Sequence, residues 1–291
     1  MPPSPPVVLI AGALHYDIMV EATHLPRRDE TAVGQRWYPK FGGKGGNQAV
    51  AVARTGTGAR MLGALGQDDF GSFLRKCLRA AGVEDYFVAD IPGVGSGMSV
   101  AIQDQAGDYA ATIVSGANQD IDPAAASDNQ LWQDVALLIL QNEVPPALNL
   151  AVATQARARA LPVLLNAAPV RTIDPALAAL VDIIVVNAVE AEMMSAQVVR
   201  DRTSAAQAAA VLGVQFPTVI VTAGAHGLAA QDAQGNFTLS AQMVQVRSSH
   251  GAGDAFIGHL AAALLAGQSL RAACQAASLG AAAHVSRPLD R

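Results

Sequence analysis

Two stretches of this chain bring together residue types that chemistry needs. The first is His250-Gly251-Ala252-Gly253-Asp254-Ala255-Phe256. It follows a strand-like run, Phe237–Val246, and precedes an Ala-rich run expected to be helical, Ala255–Ala266. Backbone N–H groups of Gly251, Ala252 and Gly253 at a helix N-terminus would lack intrahelical acceptors, and the helix dipole adds positive charge there. An anion site is the expectation. Asp254, in the first helical turn, reads either as a favourable terminal charge or as a base. A carboxylate beside such a cradle can take a proton from a hydroxyl while the cradle stabilises a transferring phosphoryl group. The second stretch, Phe41-Gly42-Gly43-Lys44-Gly45-Gly46-Asn47-Gln48-Ala49, carries four glycines in five positions. Such glycines let backbone amides approach a ligand closely and admit positive φ. A plain glycine-rich turn before a helix is the competing reading. The stretch is not a Walker loop, because Lys44 is followed by Gly45 and Trp37 lies five positions before Gly42. No G-x-G-x-x-G follows a strand either.

The elements that must position these residues alternate along the chain. Short apolar runs at Val7–Ile10, Val135–Leu140, Val163–Asn166, Ile183–Asn187 and Thr218–Thr222 predict buried strands. Ala-rich stretches at 46–54, 70–81, 146–160, 189–197 and 203–212 predict helices between several of them. Continuous apolar strands alternating with helices read as βαβ units, hence a parallel sheet covered on both faces. Ligands of such sheets gather beyond the carboxyl ends of the strands. Two regions, 30–41 and 97–113, break the rhythm with polar/apolar alternation. Within the second, Ser99–Gln103, Gln105–Asp108 and Tyr109–Ile113 read as strand, turn and strand. They predict a small flap or lid outside the main sheet. Two further helices, Ala255–Ala266 and Leu270–Ala283, close the chain.

Composition narrows the function classes. The 291 residues carry 19 Lys+Arg against 24 Asp+Glu, a formal charge of −5. That balance offers no basic face for a nucleic-acid backbone, so no nucleic-acid polymer is expected as partner. Cys77 and Cys274 lie far apart with no paired spacing, which fits a reducing compartment rather than a disulfide framework or zinc site. The start of the chain lacks the basic residues and long apolar core of a signal peptide, and no run is long enough to span a bilayer. No membrane association and a cytoplasmic location are expected.

Taken together, the Gly42–Gln48 and Gly251–Asp254 stretches resemble the two signatures of the ribokinase (PfkB-type) carbohydrate kinases. Gly12 with Asp17 after the first strand, Asn187-x-x-Glu190 after another, and Thr222-Ala223-Gly224 after a third extend the resemblance over the chain. It implies a ribokinase-like three-layer α/β/α sandwich with a mainly parallel central sheet. The chain would be a single domain, 1–291, with lid segments at about 14–41 and 96–114. It implies transfer of the ATP γ-phosphoryl group to a hydroxymethyl of a small sugar or, as an alternative, a nucleoside such as pseudouridine or a purine nucleoside. A non-catalytic sugar-binding protein of the same fold is the remaining alternative.

By the same resemblance Asp254 is the catalytic base, with Gly251, Ala252 and Gly253 as the anion hole. Asp17, Gly42, Gly43, Lys44, Asn47 and Glu143 would hold sugar hydroxyls. Asn187, Thr222, Gly224 and Gly227 would contact ATP, and Glu190 would act on Mg²⁺ through water. As isolated residues, Glu143 reads as a solvated loop charge and Asn187 with Glu190 as a helix cap. Three departures stand out. His15 replaces the usual Asn two positions before Asp17, where sugar specificity is set, so ribose as sole acceptor is not expected. Ser248 and His250 stand where the family has an acidic and a hydroxyl residue, and few residues follow Val285-Ser286-Arg287. Both departures remove ligands of the K⁺ site of potassium-activated members, so that site is expected to be absent or weakened. A homodimer through the lid is expected from the family's habit and from exposed lid strands.

Overall fold

The computed structural model describes residues 5–105 and 109–287. Ala106, Gly107 and Asp108, most of the expected hairpin turn, lie outside the described residues, as do 1–4 and 288–291. The strands are β1 (Val7–Ala11), β2 (His15–Ala22), β3 (Gly34–Gly42), β4 (Gly58–Gly66), β5 (Val88–Ile91), β6 (Met98–Gln103) and β7 (Tyr109–Val114). They continue as β8 (Val135–Gln141), β9 (Val163–Asn166), β10 (Ile183–Asn187), β11 (Thr218–Thr222), β12 (Leu228–Asp232) and β13 (Gly235–Leu239). The helices are α1 (Lys44–Ala53), α2 (Asp69–Ala80), α3 (Pro146–Ala158), α4 (Pro175–Ala178), α5 (Ala188–Ser195), α6 (Arg202–Leu212), α7 (Ala252–Leu265) and α8 (Leu270–Val285).

Nine strands form one sheet in the order β13-β12-β11-β10-β9-β8-β1-β4-β5, and four form a second, β3-β2-β6-β7. The large sheet is parallel from β5 to β11; the β12–β13 hairpin adds antiparallel at one edge. Its central strands are apolar without alternation because both faces are covered. On β1, Leu9 and Ala11 join a core with Val152 of α3 and Leu212 of α6. Val8 and Ile10 face the opposite way, into a core with Val52 of α1, Leu74 of α2, Leu260 of α7 and Cys274 of α8. The expected three-layer α/β/α sandwich is therefore present. Each buried Leu or Ile contributes about 1.5–3 kcal/mol of transfer free energy to holding the layers. No helix among the described residues is long and apolar enough to cross a membrane.

Three differences from the sequence reading have physical causes. Strand β4, GARMLGALG, was not expected, since Gly and Ala carry little strand propensity; burial between β1 and β5 decides it. The run 237–246 is strand only as far as Leu239. Leu239 pairs with Leu228, the first residue of β12, so no ladder partner remains for 241–246, which run irregularly. Helix α1 begins at Lys44 rather than at Gly46. A Cβ on Gly45 would lie 2.6–2.7 Å from backbone atoms of Gly12 and Ala13. Only glycine lets this first turn rest backbone to backbone on the loop after β1.

The second sheet is built from the two segments that break the α/β rhythm together with β2, which precedes the first of them. Tyr16 of β2 fastens it to the main body, its ring stacked on Phe70 at 4.1 Å between centroids and edge-on to Phe73. Strand alternation then turns His15 and Asp17 to the other face. Their register partners on β3 are Gly42 and Lys40.

Candidate active site

Strands β9, β10 and β11 end in Asn166, Asn187 and Thr222, and the helix starts of α1 and α7 meet them from across the crevice. These strand ends line a cavity of about 160 Å³ with Lys44, Glu190 and Asp254. The site thus lies beyond the carboxyl ends of a parallel sheet, where backbone groups are free to meet a ligand.

Asp254 is 8% exposed, and both its carboxylate oxygens are engaged from α1. Gln48 Nε2 donates to Oδ1 at 2.9 Å and Asn47 Nδ2 to Oδ2 at 3.2 Å. Gln48 Nε2 also donates to Asn166 Oδ1 at 3.1 Å, and Asn166 Nδ2 in turn to the Val185 carbonyl. This chain of amides fixes the carboxylate to the sheet. Burial pushes the Asp254 carboxyl up to about 6, against Lys44 and the two amide donors, with Glu143 adding to the rise. That value suits a base working near neutrality.

Beside it, Gly251 caps α7 with φ of 76°. The Ala252 N–H is committed to the Ser249 carbonyl at 3.2 Å. The expected trio of free donors is therefore reduced by the tight turn at 249–252. Gly251 and Gly253 keep N–H groups with no partner among the described residues, so the cradle survives with two of its three amides. A Cβ on Gly253 would meet nothing within 4 Å. That open space belongs to the crevice, since Gly253 lines the smaller cavity and a second one of about 740 Å³. Thr222, Gly224 and Gly227 line the larger cavity, whose walls include the apolar Leu228, Val244 and Val246. His226 does not line it; its ring is exposed near Asp201.

On the other side of Asp254, the face of the second sheet presents His15 and Asp17. Ser99 Oγ donates to Asp17 Oδ1 at 2.5 Å. Burial raises the Asp17 carboxyl, opposed by the Ser99 hydrogen bond, His15 and Lys40, while Glu143 adds to the rise. Burial lowers the His15 imidazole, against the pull of Asp17, and its Nε2 has no partner. A neutral ring with a spare polar atom is available to a hydroxyl. The glycines make this closeness possible: a Cβ on Gly42 would lie 2.0 Å from Asp17 Oδ2, and Gly43 holds φ of 83° against Ala13. Glu143 Oε2 accepts the Lys44 N–H at 2.7 Å, a carboxylate at the positive end of α1. Burial nonetheless raises its carboxyl, with Lys44 opposing.

Glu190 and Asn187 do form the helix cap that an isolated pair would predict. Asn187 Oδ1 accepts the Glu190 N–H at 2.9 Å, and Glu190 Oε2 accepts the Asn187 N–H at 2.8 Å. They also face the cavity, where burial raises the Glu190 carboxyl and Lys44 opposes. One carboxylate with a single spare oxygen cannot cage a metal, and no cluster of three ligating side chains occurs among the described residues. The donor set fits Mg²⁺ held mainly by waters and phosphate oxygens, which is that ion's habit.

All the site residues expected from the sequence therefore gather on one crevice; His15, Asp17, Gly42, Gly43, Asn47 and Glu143 lie on its second-sheet side, outside the two cavities. Sequence reading missed several of their supports. Gln48 stood inside the glycine motif without a role, and Asn166 was detectable only as a polar end to an apolar strand. Arg171 straps the Glu143 loop, its Nη1 donating to the carbonyls of Asn142 and Val144 at 3.3 and 2.6 Å.

A buried carboxylate beside free amides at a helix start can take a proton from an alcohol and stabilise a migrating phosphoryl group, the chemistry of a phosphotransferase with an alcohol acceptor. Comparison with known proteins carries the assignment further. Residues 7–291 match the family model described as pfkB family carbohydrate kinase, and the chain belongs to that family. It is 31% identical to the mouse ribokinase over 265 residues, covering 87% of this chain and 80% of that protein. It is 29% identical to the Haemophilus influenzae ribokinase, covering 96% and 92%. The Arabidopsis thaliana ribokinase, solved in complex with ribose and ATP, superposes with a TM-score of 0.90 at 27% identity, covering 98% and 94%. The chain is an ATP-dependent sugar kinase.

Proposed function

We propose that this kinase phosphorylates the hydroxymethyl group of a pentose or hexose held between the second sheet and α1. Asp17, His15, Lys44, Asn47 and Glu143, with the Gly42–Gly43 backbone, bind the acceptor's hydroxyls. Asp254 takes the proton from the attacking hydroxyl, and the Gly251 and Gly253 amides hold the transferring phosphoryl group. ATP occupies the larger cavity, with Asn187, Thr222, Gly224 and Gly227 toward its phosphates and ribose. Mg²⁺, held through water by Glu190 and by the phosphates, supplies charge neutralisation when bound. The observation that carries this reading is Asp254, buried yet raised to about 6, tethered to α1 beside two free amides at the join between the cavities.

The second sheet acts as a lid over the acceptor, and its closure excludes water that would otherwise receive the phosphoryl group. We extend the proposal to the surroundings: a single domain, a homodimer through the lid strands, a cytoplasmic location, and no nucleic-acid or membrane partner. The deciding assay is ADP release across pentoses, hexoses and nucleosides with Mg²⁺. Turnover with sugars supports the proposal. Turnover with nucleosides alone moves the assignment to a nucleoside kinase, and saturable sugar binding without turnover moves it to a binding protein.

Two smaller predictions follow from the site. Gly253→Val is expected to leave the melting temperature near wild type, because a Cβ there meets no protein atom within 4 Å. The KM for ATP is expected to rise about tenfold or more, because the added methyl groups enter the crevice at about the scale of a blocked subsite. A shared loss of stability and ATP affinity would count against the open space at Gly253. Ser248 replaces a carboxylate near the anion loop, so activity in KCl and NaCl at equal ionic strength is expected to differ by less than about twofold. Strong stimulation by K⁺ would overturn that expectation.

A further inference from the structure

The segment that enters α7 is held from behind by the end of α8. The N–H groups of Arg247 and Ser248 donate to the Val285 carbonyl at 2.8 and 3.3 Å. His284 Nε2 lies 3.0 Å from the His250 carbonyl oxygen. A carbonyl oxygen only accepts, so this nitrogen carries the proton. The same Nε2 would stand 3.0 Å from a Cβ on Gly251, so the ring rests against the Gly251 backbone.

The His250 carbonyl and the Gly251 N–H belong to one peptide plane, and in a trans peptide they point in opposite directions. Holding the oxygen on the His284 side therefore turns the N–H the other way, and Gly251 lines the smaller cavity, which no residue of α8 lines. A hydrogen bond to the carbonyl also polarises the peptide and strengthens the N–H as a donor. The bond from the Ala252 N–H to the Ser249 carbonyl closes a turn around this plane, and glycine beside the central peptide of such a turn lets that peptide face either way.

We propose that His284 is a positioning residue for phosphoryl transfer: its bond to the His250 carbonyl aims the Gly251 N–H at the migrating phosphoryl group. The proposal rests on the kinase reading of the crevice. His284→Ala is expected to lower kcat by about 10–100-fold, less than loss of a whole oxyanion donor, with the acceptor KM unchanged within about twofold. His284→Gln, whose amide can reach the same oxygen, is expected to recover most of kcat. His284→Asn, which is shorter, is expected to stay low. A merely structural tie between α8 and the loop would lower melting temperature without this order among variants. A folded His284→Ala enzyme with wild-type kcat, or Gln no better than Asn, overturns the proposal.

Amide hydrogen exchange at residues 250–254 gives a readout that needs no substrate. Exchange is expected to quicken in His284→Asn and not in His284→Gln, and equal exchange in the two overturns the proposal. Should the wild-type chain turn over no sugar or nucleoside, the kinase reading falls, while the exchange comparison still decides the His284 contact.

Discussion

Asp254→Asn is expected to lower kcat by about 10²–10⁴-fold, the usual contribution of a positioned general base, with little change in either KM. The amide has nearly the shape of the carboxylate and can still accept from Gln48, so the fold should hold. The pH dependence follows from the raised carboxyl. Below about 6 Asp254 is protonated and cannot take the alcohol's proton, so kcat/KM should fall about tenfold per pH unit on the acid side.

The same group makes a stability statement of opposite sense. A carboxyl raised on folding binds its proton more tightly in the native state, so its contribution is favourable at low pH. That contribution is lost as pH rises through about 6. Asp254→Asn should therefore raise the melting temperature at pH 8 relative to wild type and much less below about pH 4, because the contribution is lost between the ordinary carboxyl range and about 6. An inactive variant that is also destabilised at pH 8 would place Asp254 in the structure's support rather than in its chemistry.

Asp17→Leu is expected to reduce kcat/KM for the sugar by roughly 10³-fold while leaving nucleotide affinity unchanged. Sites built to bond a hydroxyl lose far more than the net worth of one hydrogen bond when a partner is missing, because the remaining buried polar groups go unmatched. Here those groups are Ser99 Oγ, which donates to Asp17, and His15 Nε2, which has no protein partner. Leucine keeps the branched outline and heavy-atom count of aspartate with bulkier ends, and the Gly42 backbone already lies against this side chain. ADP affinity by calorimetry separates the cases. Equal loss of sugar and nucleotide binding would mean the second sheet had come apart, and unchanged sugar kinetics would remove Asp17 from the acceptor site.

Much of the site was legible because its chemistry is concentrated in short segments. Gly42–Asn47 and Gly251–Asp254 stand out in the sequence, since few stretches set so many glycines beside a charge, and the family resemblance is what suggested roles for them. Expected strands such as Val163–Asn166 and Ile183–Asn187 match β9 and β10, because a strand buried on both faces must be continuously apolar. The N–H of Ala252 was misjudged for a local reason: whether it stays free depends on the turn at Ser249, which composition does not reveal. Strand β4 escaped notice because its burial, not its residues, makes it a strand.

Local spacing by itself determined which side chains hold charge and which stretches admit a close backbone, because those properties belong to single residues and their immediate neighbours. Only the tertiary structure decided that Gln48 grips a carboxylate 206 residues later, that Glu143 meets the start of α1, and that His284 reaches the anion loop. Such contacts depend on strand order and helix placement, and sheet packing brings together groups that the chain keeps apart.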